Sequence, residues 1–174
     1  MKDILAYDGW LKVIRREMEQ RIYEILVVPP GVAGWVVSRS GKILLVQQYR
    51  PAMQRKTWEI PAGLLDKPGL TPEETLAEEL MEEAGLKTNP ATFRRLVSYV
   101  PQMGHNFAGT SIYYCPLPEE EGTDGPVDDR DVTQRRWVKP EQLEEWILEG
   151  ALVDEKTIMA YYAWCRMRDR MRLK

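Results

Sequence analysis

A fully punctuated helix set among strand-length apolar runs constrains this chain's fold more than any other feature. Thr71-Pro72-Glu73-Glu74 opens it. Thr71 suits the N-cap, Pro72 the first helical position, and Glu74 completes a capping box worth about 1 kcal/mol. Gly85 suits the left-handed position just past the end, so the spacing predicts a helix from Pro72 to about Ala84. The flanking runs are short and bounded by turn residues. Expected strands are Trp10–Arg15, Arg21–Val28, Ala33–Val37, Lys42–Gln48, Thr57–Ile60, Phe93–Val100, Thr110–Cys115 and Gln134–Val138. Ser38-Arg39-Ser40-Gly41 reads as a hairpin turn, and Gly63–Leu70 and Glu119–Asp131 read as loops. Two helices, Pro140–Leu148 and Thr157–Met171, close the chain, with Asp154 suited to cap the second. One helix among strands, then terminal helices, implies an α/β (α+β) fold with a mixed central sheet covered by helices.

At 174 residues the chain is long enough for one domain burying roughly 70% of its unfolded surface, so a single domain over 1–174 is expected. A net charge of −3 argues against a nucleic-acid binder, which holds phosphates with a clustered positive face. Its one basic cluster, Arg166, Arg168, Arg170, Arg172 and Lys174, reads as favourable charge at the end of the last helix. No apolar run approaches the ~18–20 residues of a membrane span, and Met1-Lys2-Asp3-Ile4 does not resemble a signal peptide. Cys115 and Cys165 lack metal-ligand spacing and read as packed thiols of a cytoplasmic protein.

The central helix also carries six glutamates and no lysine or arginine. At about 100° per residue, Leu76, Ala77, Leu80 and Ala84 share the face that packs on the sheet. Glu79, Glu82 and Glu83 fall on an adjoining arc. Like charges so spaced repel by about 3 kcal/mol per pair at an effective dielectric near 20, and by less than ~1 kcal/mol in open water. Either water screens a solvated face, or the three carboxylates are a hard-oxygen site for Mg²⁺ or Mn²⁺. Trp58-Glu59-Ile60-Pro61-Ala62-Gly63 brings a strand end and a small-residue turn to the helix start, where a backbone carbonyl could join such a site.

The run Gly63–Leu86 resembles the Nudix box, G-x5-E-x7-R-E-U-x-E-E-x-G-U with U aliphatic, through Glu79, Leu80, Glu82, Glu83, Gly85 and Leu86. Lys42–Arg50 with Trp58–Leu65 is similar to a stretch of the ADP-ribose and nucleoside-diphosphate-sugar pyrophosphatase branch, and Glu149–Thr157 to that branch's segment before its last helix. Together these blocks span roughly residues 20–170. The chain departs from the box at Leu70, where the loop glutamate is expected, at Glu78, where the arginine is expected, and by one extra residue between Gly63 and the helix. If the missing pair serves as a brace, its absence leaves the carboxylates in place but less firmly oriented.

The resemblance implies a Nudix α/β/α sandwich that hydrolyses the diphosphate of ADP-ribose or a related nucleoside diphosphate sugar, giving a nucleoside monophosphate and a sugar phosphate. It assigns the metal to Glu79, Glu82, Glu83 and the Ala62 carbonyl, and phosphate binding to Arg50. Substrate contacts fall to Glu59, Trp58 and Gly104, with Trp10 and Trp35 as further stacking surfaces. The loop Pro101–Gly109 lacks the acid this branch often uses as base; His105 is its only titratable side chain. Asp124, Asp128, Asp129 and Asp131 are alternative bases. The branch's N-terminal strands commonly cross to a second subunit, so residues 1–30 are expected to contribute to a homodimer. Two alternatives stand beside the pyrophosphatase: a weakly catalytic nucleotide-sugar sensor, and a Nudix phosphatase preferring nucleoside triphosphates.

Overall fold

The computed structural model describes residues 2–118, 127 and 131–172. Ten strands and three helices follow in order: β1 (Lys2–Asp8), β2 (Lys12–Met18), β3 (Arg21–Val27), β4 (Gly31–Val37), β5 (Ile43–Arg50), β6 (Arg55–Glu59), β7 (Ala62–Leu64), α1 (Pro72–Ala84), β8 (Arg94–Tyr99), β9 (Thr110–Pro116), β10 (Val132–Val138), α2 (Pro140–Leu148) and α3 (Glu155–Arg172). The main sheet runs β10-β5-β4-β9-β8, with β6 on β5 and β7 on β4. The β4–β9 pair is parallel and the others antiparallel, as expected for a mixed sheet.

Alternation along β4 and β5 assigns the two faces. Val32, Val36, Leu44 and Val46 pack with Leu76, Leu80 and Ala84 of α1. Ala33, Trp35, Val37, Ile43 and Leu45 pack with Leu143 of α2 and Ala160, Tyr161 and Trp164 of α3. Both faces are covered, which is why these strands read as continuous apolar runs. Each fully buried leucine contributes about 1.5–3 kcal/mol.

The ends of α1 are fixed as the sequence predicts. Thr71 and Glu74 form the capping box, and Gly85 closes the helix at φ 64°. The helix has no basic residue in its last turn; the Arg135 guanidinium of β10 donates to the Ala84 carbonyl there and supplies the missing positive charge.

Three expectations need correction. Lys2–Asp8 is a strand, and its partner is Lys12–Met18 rather than a strand starting at Trp10. The expected loop Gly63–Leu70 begins inside β7, a three-residue strand too short to leave a periodic signal. Helix α3 starts at Glu155, two residues before Thr157.

Strands β1–β3 form a separate antiparallel sheet held by charged cross-strand pairs such as Arg16–Asp3 and Arg15–Glu24. It leaves Ile4, Leu5, Tyr7 and Ile22 exposed and meets the loop after β8 where the Leu26 amide donates to the His105 carbonyl. No helix among the described residues is long and apolar enough to cross a membrane. Cys115 and Cys165 are free thiols.

Candidate active site

The sheet opens where the site lies. Strands β4 and β5 pair only at Val37 and Ile43; beyond that point β7 occupies the free edge of β4 and β6 that of β5. A cleft of about 740 Å³ sits at this opening. Helix α1 contributes Glu79, Glu82 and Glu83 to it, β7 contributes Ala62 and Gly63, and the end of β5 contributes Gln48, Tyr49 and Arg50. Asp66 and Lys67 come from the loop before α1, and Lys156 from the first turn of α3.

Glu83 is the most constrained of the three acids. It is buried, with Oε1 accepting from Gln48 Nε2 at 2.7 Å and Oε2 from the Ala62 amide at 3.0 Å. The ladder alternates along β4 and β7: Leu65 donates to Pro30 and Gly34 to Pro61, so the Ala33–Ala62 pair falls between hydrogen-bonded pairs. The Ala62 amide and carbonyl therefore both point away from β4, on the side of Glu83.

Glu79 lies so close to Gly63 that a Cβ at residue 63 would overlap its carboxyl group. Burial, reinforced by the charges of Glu82, Asp66 and Glu78 against the opposing pull of Lys67, pushes the Glu79 carboxyl up to about 6. A carboxyl that binds its proton more tightly when folded weakens the metal-free fold above pH 6. That penalty disappears as pH falls from above 6 toward the ordinary value of 4.5. The expected gain is at most about 2 kcal/mol before solvent screening. Thermal melts in EDTA from pH 7.5 to 5 check it, with Glu79→Gln flattening the rise.

The acidic arc is not without a basic neighbour, as the helix sequence alone suggests. Lys67 Nζ lies 2.8 Å from Glu78 Oε2 and 3.5 Å from Glu82 Oε1, a counter-charge supplied by the preceding loop.

The same cleft has a basic side, lined by Arg50 and Lys156. Glu59 is buried behind it and accepts from Arg50 Nε at 2.8 Å, Thr57 Oγ1 at 2.7 Å and Lys156 Nζ at 2.5 Å, with a second contact from Arg50 Nη2. Lys156 also reaches Asp154 at 2.7 Å. Asp154 caps α3 by accepting from the Thr157 amide at 3.0 Å, and Thr157 Oγ1 accepts from the Ile60 amide at 2.9 Å. One polar network thus ties β5, β6 and α3 together. Burial raises the Glu59 pKa, but the Arg50 and Lys156 contacts outweigh it and hold the carboxyl at about 2.

Arg50, Ala62, Glu79, Glu82 and Glu83 therefore meet at one cleft, together with Trp10 from the β1–β2 turn and Asp131. Glu59 acts from behind Arg50 rather than lining the cleft. Trp58 packs at the edge of the α3-side core with Arg136 5.8 Å from its ring, and Trp35 is fully buried against Tyr161 and Trp164. His105 is exposed, with Nε2 3.1 Å from Gln102 Oε1; neither it nor Gly104 is among the residues lining the cleft. Asp124, Asp128 and Asp129 lie outside the described residues. At the C-terminus, Arg166 pairs with Asp169 at 3.8 Å and Arg168 lies 4.5 Å from the Trp164 ring, whereas Lys174 is outside the described residues. Gln48, Lys67 and Lys156 are the site residues that sequence reasoning missed. A polar Gln at the end of an apolar strand is the one signal that marked Gln48.

A family model for the NUDIX domain matches residues 27–161, most of the chain and all of the cleft elements that follow β3. The chain belongs to the Nudix family of hydrolases. It is 28% identical to an ADP-ribose pyrophosphatase of Mycobacterium tuberculosis, over 87% of this chain and 69% of that one. It is 31% identical to a methanol dehydrogenase activator of Bacillus methanolicus, over 79% of this chain and 72% of the relative. A solved structure titled as an ADP compounds hydrolase superposes with a TM-score of 0.74 at 16% identity, covering 98% of this chain and 94% of that one; at this identity the likeness concerns the fold.

Nudix hydrolases generally use divalent metal ions, and the donor set here fits one. Glu79, Glu82, Glu83 and the outward-facing Ala62 carbonyl are all hard oxygen donors. The missing Cβ of Gly63 makes room for the Glu79 carboxyl, whose proton affinity is raised first by burial and then by the neighbouring carboxylates. Among the described residues no three His, Cys, Asp or Glu side chains are already gathered as ligands. Closure around an ion therefore requires side-chain rotation of the exposed Glu82 and the half-buried Glu79.

Proposed function

We propose that this Nudix hydrolase cleaves the diphosphate bond of ADP-ribose or a related nucleoside diphosphate sugar with Mg²⁺ or Mn²⁺, releasing a nucleoside monophosphate and a sugar phosphate. The observation that carries this reading is that one cleft is lined both by the acidic arc, Glu79, Glu82 and Glu83, and by the basic side chains of Arg50 and Lys156. A diphosphate needs cationic partners and room for its two ends; the cleft holds Arg50 and Lys156 and has a volume of about 740 Å³. The relative named as an ADP-ribose pyrophosphatase supports the choice of substrate class.

When bound, a divalent ion neutralises phosphate charge and acidifies water. Glu79, Glu82, Glu83 and the Ala62 carbonyl would hold it. Gln48 and the Ala62 amide orient Glu83 by occupying both its oxygens. Arg50, oriented in turn by Glu59, presents its guanidinium to a phosphate. Trp10 and Tyr49, both exposed at the cleft, offer faces for a base. Protons compete with any cation for the Glu79 carboxylate, so turnover and Mn²⁺ affinity are expected to fall below about pH 6, with excess metal moving the midpoint lower. Parallel pH profiles of activity and of Mn²⁺ binding check this.

The reading includes a homodimer with residues 1–30 as the contributing segment, motivated by a β1–β3 sheet that leaves Ile4, Leu5 and Ile22 exposed. A single monomeric species in sedimentation at micromolar concentration contradicts it. A cytoplasmic location is part of the reading and accords with the free thiols.

A panel of ADP-ribose, GDP-mannose, a flavin dinucleotide and a nucleoside triphosphate, with product identification, tests the substrate class. Monophosphate release from the diphosphate-linked compounds is the expected result. Pyrophosphate released from the triphosphate alone would replace the reading with a triphosphate-directed enzyme, and binding without turnover would replace it with a sensor.

A further inference from the structure

The box pattern places an acid in the loop and an arginine on the helix, and this chain has Leu70 and Glu78 at those positions. The structure nevertheless shows an ion pair between the same loop and the same helix. Lys67 of the loop meets Glu78 of α1 at 2.8 Å and also reaches Glu82 at 3.5 Å. The signs are exchanged: the base is in the loop and the acid on the helix. The extra residue between Gly63 and α1 lies in this segment.

Residues 63–71 are held to α1 at three places. Gly63 backs onto the Glu79 carboxyl, Lys67 bridges Glu78 and Glu82, and Thr71 and Glu74 exchange the capping-box hydrogen bonds. The first and last contacts fix the ends of the segment; Lys67 is its middle tether. Lys67 is also the basic group that meets Glu78 and Glu82 while Glu79 lies between them in sequence, so it offsets the repulsion that would otherwise drive the arc and the loop apart.

We propose that Lys67 and Glu78 form a charge-reversed brace that sets the loop against α1 beside Glu79 and Glu82, so that their backbone and the loop stay in register while the two carboxyl groups rotate. Lys67 is then a positioning residue, and the arc is held rather than loosened by the two departures from the box. The inference rests on the hydrolase reading above for its catalytic consequence, but the brace itself is a property of the folded chain. Both partners are partly exposed, so the pair adds little to global stability; its effect lies in how the loop is set against the helix that bears the carboxylates.

A charge-swap cycle tests it, with wild type, Lys67→Glu, Glu78→Arg, the double variant and Lys67→Arg. The first readout is amide hydrogen exchange across residues 64–71 in metal-free protein; the second is kcat and KM for ADP-ribose at saturating Mg²⁺. Each charge-reversing single variant is expected to speed exchange in the segment by about fivefold. Each should lower kcat by about threefold to tenfold, with KM held within about twofold. The double variant and Lys67→Arg should return both readouts to within about twofold of wild type. Single variants that exchange and turn over like wild type, or a double variant no better than the worse single one, would overturn the brace. A wild type that releases no AMP removes the hydrolase reading, while the exchange cycle, run without substrate or metal, still decides the brace.

Discussion

Replacing Glu83 with glutamine is expected to lower turnover by about two to four orders of magnitude while leaving the fold and ligand affinity nearly intact. The separation follows from the partners of Glu83. Its two oxygens accept from the Gln48 side-chain amide and the Ala62 backbone amide. A glutamine at residue 83 keeps one acceptor for Ala62 and turns an NH₂ toward Gln48. Gln48 can rotate its own amide and accept in place of donating, which keeps that contact. The stability change should stay within about 1 kcal/mol, a few degrees in melting temperature for a chain of this size. What the substitution removes is the negative charge of the most fixed carboxylate in the cleft. Steady-state kinetics beside isothermal titration with ADP-ribose measures both quantities. A variant retaining a tenth or more of wild-type turnover would show that Glu83 does not participate in the reaction.

Glu59→Ala is expected to act in the opposite manner, through the fold first. The carboxylate is buried and serves two cations and a hydroxyl. Lys156 would keep Asp154, but it stays 12% exposed with half its counter-charge gone. Breaking a buried pair from one side costs about 3 kcal/mol, or roughly 6–12 °C in melting temperature. Its pH dependence has a definite sign. Glu59 is held at about 2 in the folded chain against an ordinary 4.5. Its contribution is complete above pH 4.5 and disappears as pH falls through 2. Denaturation of wild type and variant at pH 7 and pH 2.5 should therefore show a gap that narrows strongly in acid. A constant gap would mean that packing, not charge, accounts for the loss. Turnover should also fall, because Arg50 loses the partner that orients it.

The parts of this molecule that local rules control were legible before any coordinates. Thr71, Pro72, Glu74 and Gly85 act within one or two helical turns, and the helix begins and ends where they say. The apolar runs of β4 and β5 are buried on both faces, so their reading as strands did not depend on distant context. The clustering of Glu79, Glu82 and Glu83 follows from helical spacing alone. What stayed hidden depends on long-range approach. Lys67 is one lysine in a loop, and only the path of that loop brings it to Glu78 and Glu82. Lys156 and Glu59 are 97 residues apart in sequence and meet because β6 and α3 share a polar seam. Strand β1 went unread because it has no core to face, and a strand without a buried side carries no firm alternation. His105 drew notice for its chemistry, yet it stands exposed outside the cleft lining, since a side chain's reactivity says nothing about where the chain takes it.

The central claim is that an acidic arc on α1, sharing one cleft with Arg50 and Lys156, makes this protein a metal-dependent diphosphate hydrolase. Phosphorus NMR of the wild-type protein with ADP-ribose, first in EDTA and then after adding Mg²⁺, tests it most directly. Replacement of the diphosphate signals by those of AMP and ribose 5-phosphate only once Mg²⁺ is present, and not with Glu83→Gln, is the predicted result. Diphosphate signals that persist unchanged with Mg²⁺ and with Mn²⁺, or that vanish equally fast in EDTA, would contradict it.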